Sequence, residues 1–424
     1  MTPLSHFPYR NTVLHADGVP LPLIARETGT PTFVYSRSAL REAWGAYEKA
    51  ARGRDVLICY GMKANSNLAV LDEFRTLGAG FDIVSGGELA RVLAVGADPA
   101  KVVFSGVGKQ DWEMRNALEA GVKCFNVESE AELDRLAAVA ADMGRVAPVS
   151  LRVNPDVDAQ THPYISTGLK ENKFGIPIER AVAVYRRAAG IASLEVVGVD
   201  CHIGSQITET GPYLDALDKL LALMASLAGQ GITLRHLDLG GGLGIRYKDE
   251  QPLPPDALLA KVFERLEAAR LGHLQVVLEP GRSLVGNAGI LLTRVQYLKH
   301  NDIRNFAIVD AAMNDLLRPT LYRAWHDVIP VSRPDPATAP ELAYDVVGPI
   351  CESGDWLARE RQLALRQGDL LAILSAGAYG FAMASQYNTR ARAAEVMVDG
   401  DDYRVVRPRE TLESLFANET VWAR

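Results

Sequence analysis

The stretch Val56-Leu57-Ile58-Cys59-Tyr60-Gly61-Met62-Lys63-Ala64-Asn65 decides the reading of the fold. It opens with an unbroken apolar run of strand length, passes through a glycine, and only then reaches a charge. A run without polar alternation is what a strand buried on both faces needs, as in a parallel sheet covered by helices. Similar runs recur at 81–84, 102–105, 122–127, 149–153, 196–201, 234–239 and 275–279. Between them, segments such as 128–143 and 177–189 place Ala, Leu and Val at i, i+3, i+4 spacing with Arg and Glu opposite, the pattern of an amphipathic helix. Eight strand–helix units over about 250 residues match a (β/α)8 TIM-like barrel, whereas an open doubly wound sheet usually has fewer strands. The fold class expected is therefore α/β.

After Arg282 the rhythm changes. Strand-like segments at 290–297, 307–310, 343–347, 369–374, 395–398 and 402–406 follow one another without helices of barrel length. They predict a second, mainly β, sandwich- or barrel-like domain. The first residues also fall outside the barrel rhythm, and 13–14 with 19–23 are expected to supply a strand to that domain. The expected division is a barrel over 36–286 and a mainly β domain made of 1–35 with 287–424. The proline-rich stretch 330–340 reads as a surface loop.

Composition narrows the function classes. A chain of 424 residues is long enough for about two to three domains. With 45 Lys+Arg against 52 Asp+Glu the net charge is −7, which argues against nucleic acid as the main partner, because neutralising phosphates needs a basic face. The 4 cysteines (Cys59, Cys124, Cys201, Cys351) form no CxxC or Cys/His pair at metal-ligand spacing, so no metal is expected and reduced thiols are. The N-terminus lacks a basic segment followed by an apolar one, and no run is apolar enough to span a bilayer. A soluble, cytoplasmic protein is the expectation.

Barrel chemistry sits at the C-terminal ends of strands and in the loops that follow. Here those positions carry Lys63, Asp82 and Ser85, Arg152, His202 and Ser205, the triplet Gly240, Gly241 and Gly242, and Glu279, Gly281 and Arg282. A lone lysine after a strand is ordinarily a solvated cap, and a glycine triplet is ordinarily a tight turn. Successive glycines also let backbone N–H groups approach an anion closely. The triplet is not GxGxxG and lacks the Lys-Ser/Thr of a P-loop, so a dinucleotide or nucleoside triphosphate is poorly supported. A lysine for a Schiff base, a phosphate cradle and an acid for a pyridine nitrogen together suggest pyridoxal 5'-phosphate.

With these residues in place, the chain resembles the barrel-type (fold type III) pyridoxal-phosphate-dependent decarboxylases, and within them the diaminopimelate decarboxylase family. The resemblance spans essentially the whole chain. It rests on Tyr60-Gly61-Met62-Lys63-Ala64-Asn65, His162-Pro163-Tyr164-Ile165-Ser166-Thr167-Gly168, Cys201-His202-Ile203-Gly204-Ser205-Gln206, Gly240-Gly241-Gly242 and Glu279-Pro280-Gly281-Arg282. It continues through Asn314-Asp315-Leu316-Leu317-Arg318-Pro319-Thr320-Leu321-Tyr322, Cys351-Glu352-Ser353-Gly354-Asp355 and Gly377-Ala378-Tyr379-Gly380. Gly61 departs from the family, which usually has Ala there, and no functional consequence is expected.

The resemblance implies that Lys63 carries the cofactor, that His202 stacks on its ring, and that Ser205, the glycine triplet and Tyr379 bind its phosphate. It further implies that Glu279 keeps the pyridine nitrogen protonated, with Asp82, Gly281 and Arg282 completing the cofactor site. A histidine there is otherwise a buried one satisfied by backbone. For the substrate, it implies that Arg282, Arg318 and Tyr322 grip a distal carboxylate, with Tyr379 beside them, and that Glu352 meets a distal ammonium. Cys351, otherwise a small buried hydrophobe, would protonate the carbanion from a partner subunit, which implies a homodimer with shared sites. The activity implied is decarboxylation of meso-2,6-diaminopimelate to L-lysine and CO2, the last step of lysine biosynthesis. Rival readings are a decarboxylase of ornithine, arginine or carboxynorspermidine, an amino acid racemase, and a non-catalytic regulatory relative.

Overall fold

The computed structural model describes residues 4–158, 167–168, 171–333 and 340–422. His162, Pro163, Tyr164, Ile165 and Ser166 of the second motif, and residues 334–339 of the proline-rich stretch, lie outside the described residues; within that stretch Pro330 ends a strand and Val331 is buried, so its start is not surface loop. The chain divides into two compact units, one made of Trp44–Ile245 with Gln251–Ser283 and the other of Met1–Ala43, Arg246–Glu250 and Leu284–Arg424.

The first unit is the barrel. Eight parallel strands, Val56–Gly61, Gly80–Ile83, Val102–Phe104, Cys124–Val127, Ala147–Asn154, Leu194–Asp200, His236–Asp238 and Gln275–Leu278, pair in sequence order, and the last returns to the first through Val276↔Val56. Each of the eight apolar runs is one of these strands. Their inward side chains Cys59, Val103, Cys124, Val197 and Val277 make one apolar cluster inside the barrel. Helices follow the strands closely because the linking residues cap them. Ser85 Oγ accepts the Glu88 N–H at 3.2 Å, Ser129 Oγ accepts the Glu132 N–H at 3.1 Å, and Asn67 Oδ1 accepts the Ala69 N–H at 2.9 Å. Ser85, singled out by its position after a strand, is thus a helix cap.

The second unit is mainly β. Its large sheet runs Trp356–Ala364, Glu341–Val347, Asn305–Val309, Gly289–His300, Thr32–Ser36, Ala394–Asp399, Asp402–Arg407, with Leu370–Ile373 and Val328–Pro330 branching from the long Gly289–His300 strand. The N-terminal contribution differs from the expectation. Val13–Ala16 joins Tyr9–Arg10 and Val19–Pro20 in a small separate sheet, and Leu21–Thr28 is a helix. The strand that enters the large sheet is Thr32–Ser36, buried at every residue, antiparallel to Gly289–His300 and parallel to Ala394–Asp399. Leu21 and Ile24 are buried from a helix face instead, in a core with Phe7, Leu14, Val34, Leu292 and Val396. Among the described residues no helix is long and apolar enough to cross a membrane.

Candidate active site

In the barrel, register sets the first contact. Gly61 pairs with Asp82 across the first two strands, and the turn Met62–Ala64 then carries Lys63 over the strand end. Tyr60 holds that turn by donating its hydroxyl to the Asn65 carbonyl at 2.8 Å. Lys63 Nζ donates to Asp82 Oδ2 at 2.6 Å, with the Asp82 side chain wholly buried. The other Asp82 oxygen, Oδ1, is buried and has no hydrogen-bond partner among the described residues.

The sixth and seventh strands end in acids, and an acid directly follows the eighth. Asp200, Asp238 and Glu279 each place a carboxylate oxygen within 4.8 Å of the others. Asp238 Oδ1 accepts the Gly240 N–H at 2.9 Å, and Asn126 Nδ2 donates to Ser105 Oγ at 3.1 Å beside Glu279 Oε1. Burial pushes Glu279 well above the usual carboxylate range, with Asp238, Asp82 and Asp200 adding to the effect and Lys63 opposing it. Burial likewise raises Asp238 to about 7. Like charges this close in a dry interior cannot all ionise, so the trio holds protons near neutral pH. Asp200 and Asp238 escaped the sequence reading, although an acid inside an apolar run was the available signal. Arg152 pairs with Glu128, Nη1 to Oε1 at 3.0 Å.

The glycine triplet packs where side chains have no room. Gly240 and Gly242 have φ of +65° and +103°, and a Cβ on Gly241 would stand 2.1 Å from the Glu279 carbonyl oxygen. The Gly241 N–H donates to His202 Nδ1 at 3.1 Å, so the imidazole carries its proton on Nε2. Burial, then the charges of Arg152 and Lys63, push His202 well below its ordinary value, and it stays neutral. Arg282 Nη2 donates to Ser205 Oγ at 2.9 Å. The barrel unit thus gathers Lys63, Asp82, His202, Ser205, the triplet, Glu279 and Arg282 on the ends of five strands.

Arg318, Tyr322, Cys351, Glu352 and Tyr379 belong to the mainly β unit. The short helix Arg318–Tyr322 is tied to the loop that carries Cys351 and Glu352, since Thr320 Oγ1 donates to the Gly354 carbonyl at 2.8 Å. Asp355 closes that loop by accepting the N–H groups of Met313 at 2.7 Å and Ile350 at 2.8 Å. Cys351 is exposed, unlike Cys59, Cys124 and Cys201, which removes the buried-hydrophobe alternative. Asn388 Nδ2 donates to its Sγ at 3.3 Å, and the Tyr387 hydroxyl donates to Glu352 Oε1 at 2.5 Å. Tyr379 takes a positive φ of 55° in the turn after the strand Leu370–Ile373. Tyr387 and Asn388 were not among the sequence candidates, because they lie in an irregular segment and act on other side chains.

Residues 37–286 match the family model described as pyridoxal-dependent decarboxylase, pyridoxal binding domain. The chain is 62% identical over 415 residues to a diaminopimelate decarboxylase of Pseudomonas aeruginosa, covering 98% of this chain and 99% of that one. Among solved structures, the diaminopimelate decarboxylase of Helicobacter pylori complexed with L-lysine is 41% identical, with a TM-score of 0.90 over 94% of this chain and 99% of that one. That of M. jannaschii, in co-complex with L-lysine, is 35% identical with a TM-score of 0.93 over 99% of each chain. The barrel, the lysine at its rim and the two arginine- and acid-bearing motifs therefore have one context: the chain belongs to the diaminopimelate decarboxylase family of pyridoxal-dependent decarboxylases.

Proposed function

We propose that the chain removes CO2 from meso-2,6-diaminopimelate to give L-lysine, the last step of lysine biosynthesis, with pyridoxal 5'-phosphate as cofactor. The observation that carries the reading is that the chain has both Lys63 and Glu279 at the rim of its barrel unit and, in its mainly β unit, Arg318 and Glu352, which suit an amino acid end that does not react. The residues present fit the cofactor: an amine beside a buried carboxylate with one orphaned oxygen, a turn with no room for a Cβ, and an acid kept protonated by its surroundings.

When bound, pyridoxal phosphate supplies an electron sink for the pair of electrons left as the bond to CO2 breaks. Lys63 would hold it, and Asp82 keeps the lysine amine in place. The glycine triplet, Ser205, Tyr379, Gly281 and Arg282 would receive its phosphate through N–H and hydroxyl donors. His202, neutral, would lie against its ring as a flat surface. Glu279 holds a proton that a pyridine nitrogen placed beside it would share, which strengthens the sink. Cys351 would deliver the proton that completes the new C–H bond.

Diaminopimelate has an amino acid group at each end. Arg282 and Arg318, with Tyr322 and Tyr379, suit the distal carboxylate, and Glu352 suits the distal ammonium. A substrate such as ornithine has no distal carboxylate for Arg318 to grip. A homodimer in which Cys351 reaches the partner's site, in the cytoplasm and with neither membrane nor nucleic acid as partner, completes the proposal.

The experiment is CO2 release by the cofactor-loaded protein given meso-diaminopimelate, ornithine, arginine or lysine alone. Release from diaminopimelate only is expected. Release from ornithine or arginine instead would keep fold and cofactor but replace the substrate. Silence from all four despite bound cofactor would favour a regulatory role.

A further inference from the structure

Among the described residues, the roles above leave unused the imidazole of His326, which is wholly buried. Its Nδ1 lies 2.8 Å from the Leu374 carbonyl oxygen. A carbonyl oxygen only accepts, so Nδ1 carries the hydrogen. Its Nε2 lies 2.6 Å from Nη1 of Arg318. A guanidinium only donates, so Nε2 accepts with its lone pair. Both ring nitrogens are assigned by partners that can play a single role, and the backbone carbonyl thereby aims an acceptor at the arginine.

The imidazole is held in turn. Arg361 Nη2 donates to the His326 backbone oxygen at 3.0 Å while its guanidinium lies 3.2 Å over the Trp325 ring. The Tyr247 ring meets that of His326 edge-on, at 77° and 5.3 Å between centroids, and Arg318 Cζ stands 4.5 Å over the same Tyr247 ring. The Arg318 guanidinium is therefore gripped in its plane by His326 and on its face by Tyr247. Both groups are uncharged, so neither neutralises it. An aspartate in the place of His326 would orient the arginine equally well but would cancel the charge needed to attract a carboxylate.

We propose that His326 is a positioning residue for Arg318 and, through it, a determinant of selectivity for ligands that carry a carboxylate at the non-reacting end over ligands that lack one. The proposal rests on the assignment of Arg318 to that carboxylate under the function proposed above. An arginine fixed in advance binds its anion in a bidentate fork without first losing rotamer freedom.

The test uses the cofactor-loaded enzyme with two probes, L-lysine and cadaverine, which differ by the carboxylate alone. His326→Phe keeps an aromatic ring against Tyr247 but removes the acceptor, and His326→Gln puts an acceptor back. In His326→Phe the KM for meso-diaminopimelate and the Kd for L-lysine are expected to rise about tenfold, the gain of one hydrogen bond to a charged group. The kcat and the Kd for cadaverine should move by less than about twofold, and His326→Gln should recover part of the loss. Equal weakening of both probes, or of neither, overturns the proposal. Failure of the decarboxylase reading shows separately, as a wild-type enzyme that neither turns over meso-diaminopimelate nor prefers L-lysine to cadaverine. In that case, or if His326→Phe does not fold, imidazole 15N NMR of the wild-type holoenzyme decides. A hydrogen on Nδ1 and none on Nε2 is expected for His326, and a hydrogen on Nε2 overturns the proposal.

Discussion

Lys63 Nζ and Asp82 Oδ2 stand 2.6 Å apart, an ammonium at the barrel rim against a carboxylate with no exposed surface. Removing the lysine leaves the buried Asp82 charge without the ammonium that compensates it. In cofactor-free protein, Lys63→Ala should cost about 2 kcal/mol, since the lysine is partly exposed and water screens part of the pair. Adding Asp82→Asn should recover most of it. Urea unfolding of the four proteins reads the coupling, and additive effects would show that the two side chains are not coupled. Lys63→Ala should also abolish turnover and the visible absorbance of the loaded enzyme.

Gly61 and Gly241 approach the same atom, the Glu279 carbonyl oxygen, from two strands. A Cβ would stand 3.3 Å from it at Gly61 and 2.1 Å at Gly241. Gly61→Ala, the residue usual in the family at that position, should change stability by less than about 1 kcal/mol and leave cofactor retention intact. Gly241→Ala must displace backbone and should destabilise by more than about 2 kcal/mol with loss of bound cofactor. Cofactor content after gel filtration and thermal unfolding distinguish them, and equal behaviour of the two variants would contradict this packing.

Glu279→Gln keeps the shape of the side chain but cannot hold a proton for a ring nitrogen. The variant should bind cofactor as the parent does while kcat falls by about a hundredfold or more. Single-turnover decarboxylation is the measurement, and a kcat near that of the parent would remove Glu279 from the chemistry.

Burial pushes the Asp315 carboxyl from an ordinary 3.8 to about 7. Between those values the folded protein holds a proton that the unfolded chain has released, so this residue's contribution to stability falls as pH rises through the window. Asp315→Asn has no proton to lose and keeps an acceptor for the Ala312 N–H, which meets Asp315 Oδ2 at 3.0 Å in the parent. Its melting temperature relative to the parent should therefore climb from about pH 5 to about pH 8. A gap that is flat across that range would mean the carboxyl ionises alike in both states.

The barrel was legible because eight apolar runs buried on both faces admit few other arrangements, and the site residues were legible because they end those runs. Thr32–Ser36 was not, since its ladder partners lie at Gly289–His300 and Ala394–Asp399 and no local pattern reveals them. Trp356–Ala364 was missed for a different reason. It is an edge strand in which Arg359, Glu360 and Arg361 interrupt the apolar signal, and Glu360 bends it with a φ of +57°. Of the site, the groups expected to touch cofactor or substrate could be read by type and position. Those that aim them, His326, Tyr387 and Asn388, could not, because their function exists only in the contact.

The place of Thr32–Ser36 bears on how the chain is made. The strand is synthesised early, yet both segments that cover its edges come only after every barrel strand, and the second of them belongs to the last part of the chain. The barrel can close while this apolar strand waits with unpaired edges, in the form most open to pairing with another chain. A ribosome that stalls before Ala394 would release a polypeptide with a finished barrel and an unfinished sheet, and aggregation should then begin at Thr32–Ser36.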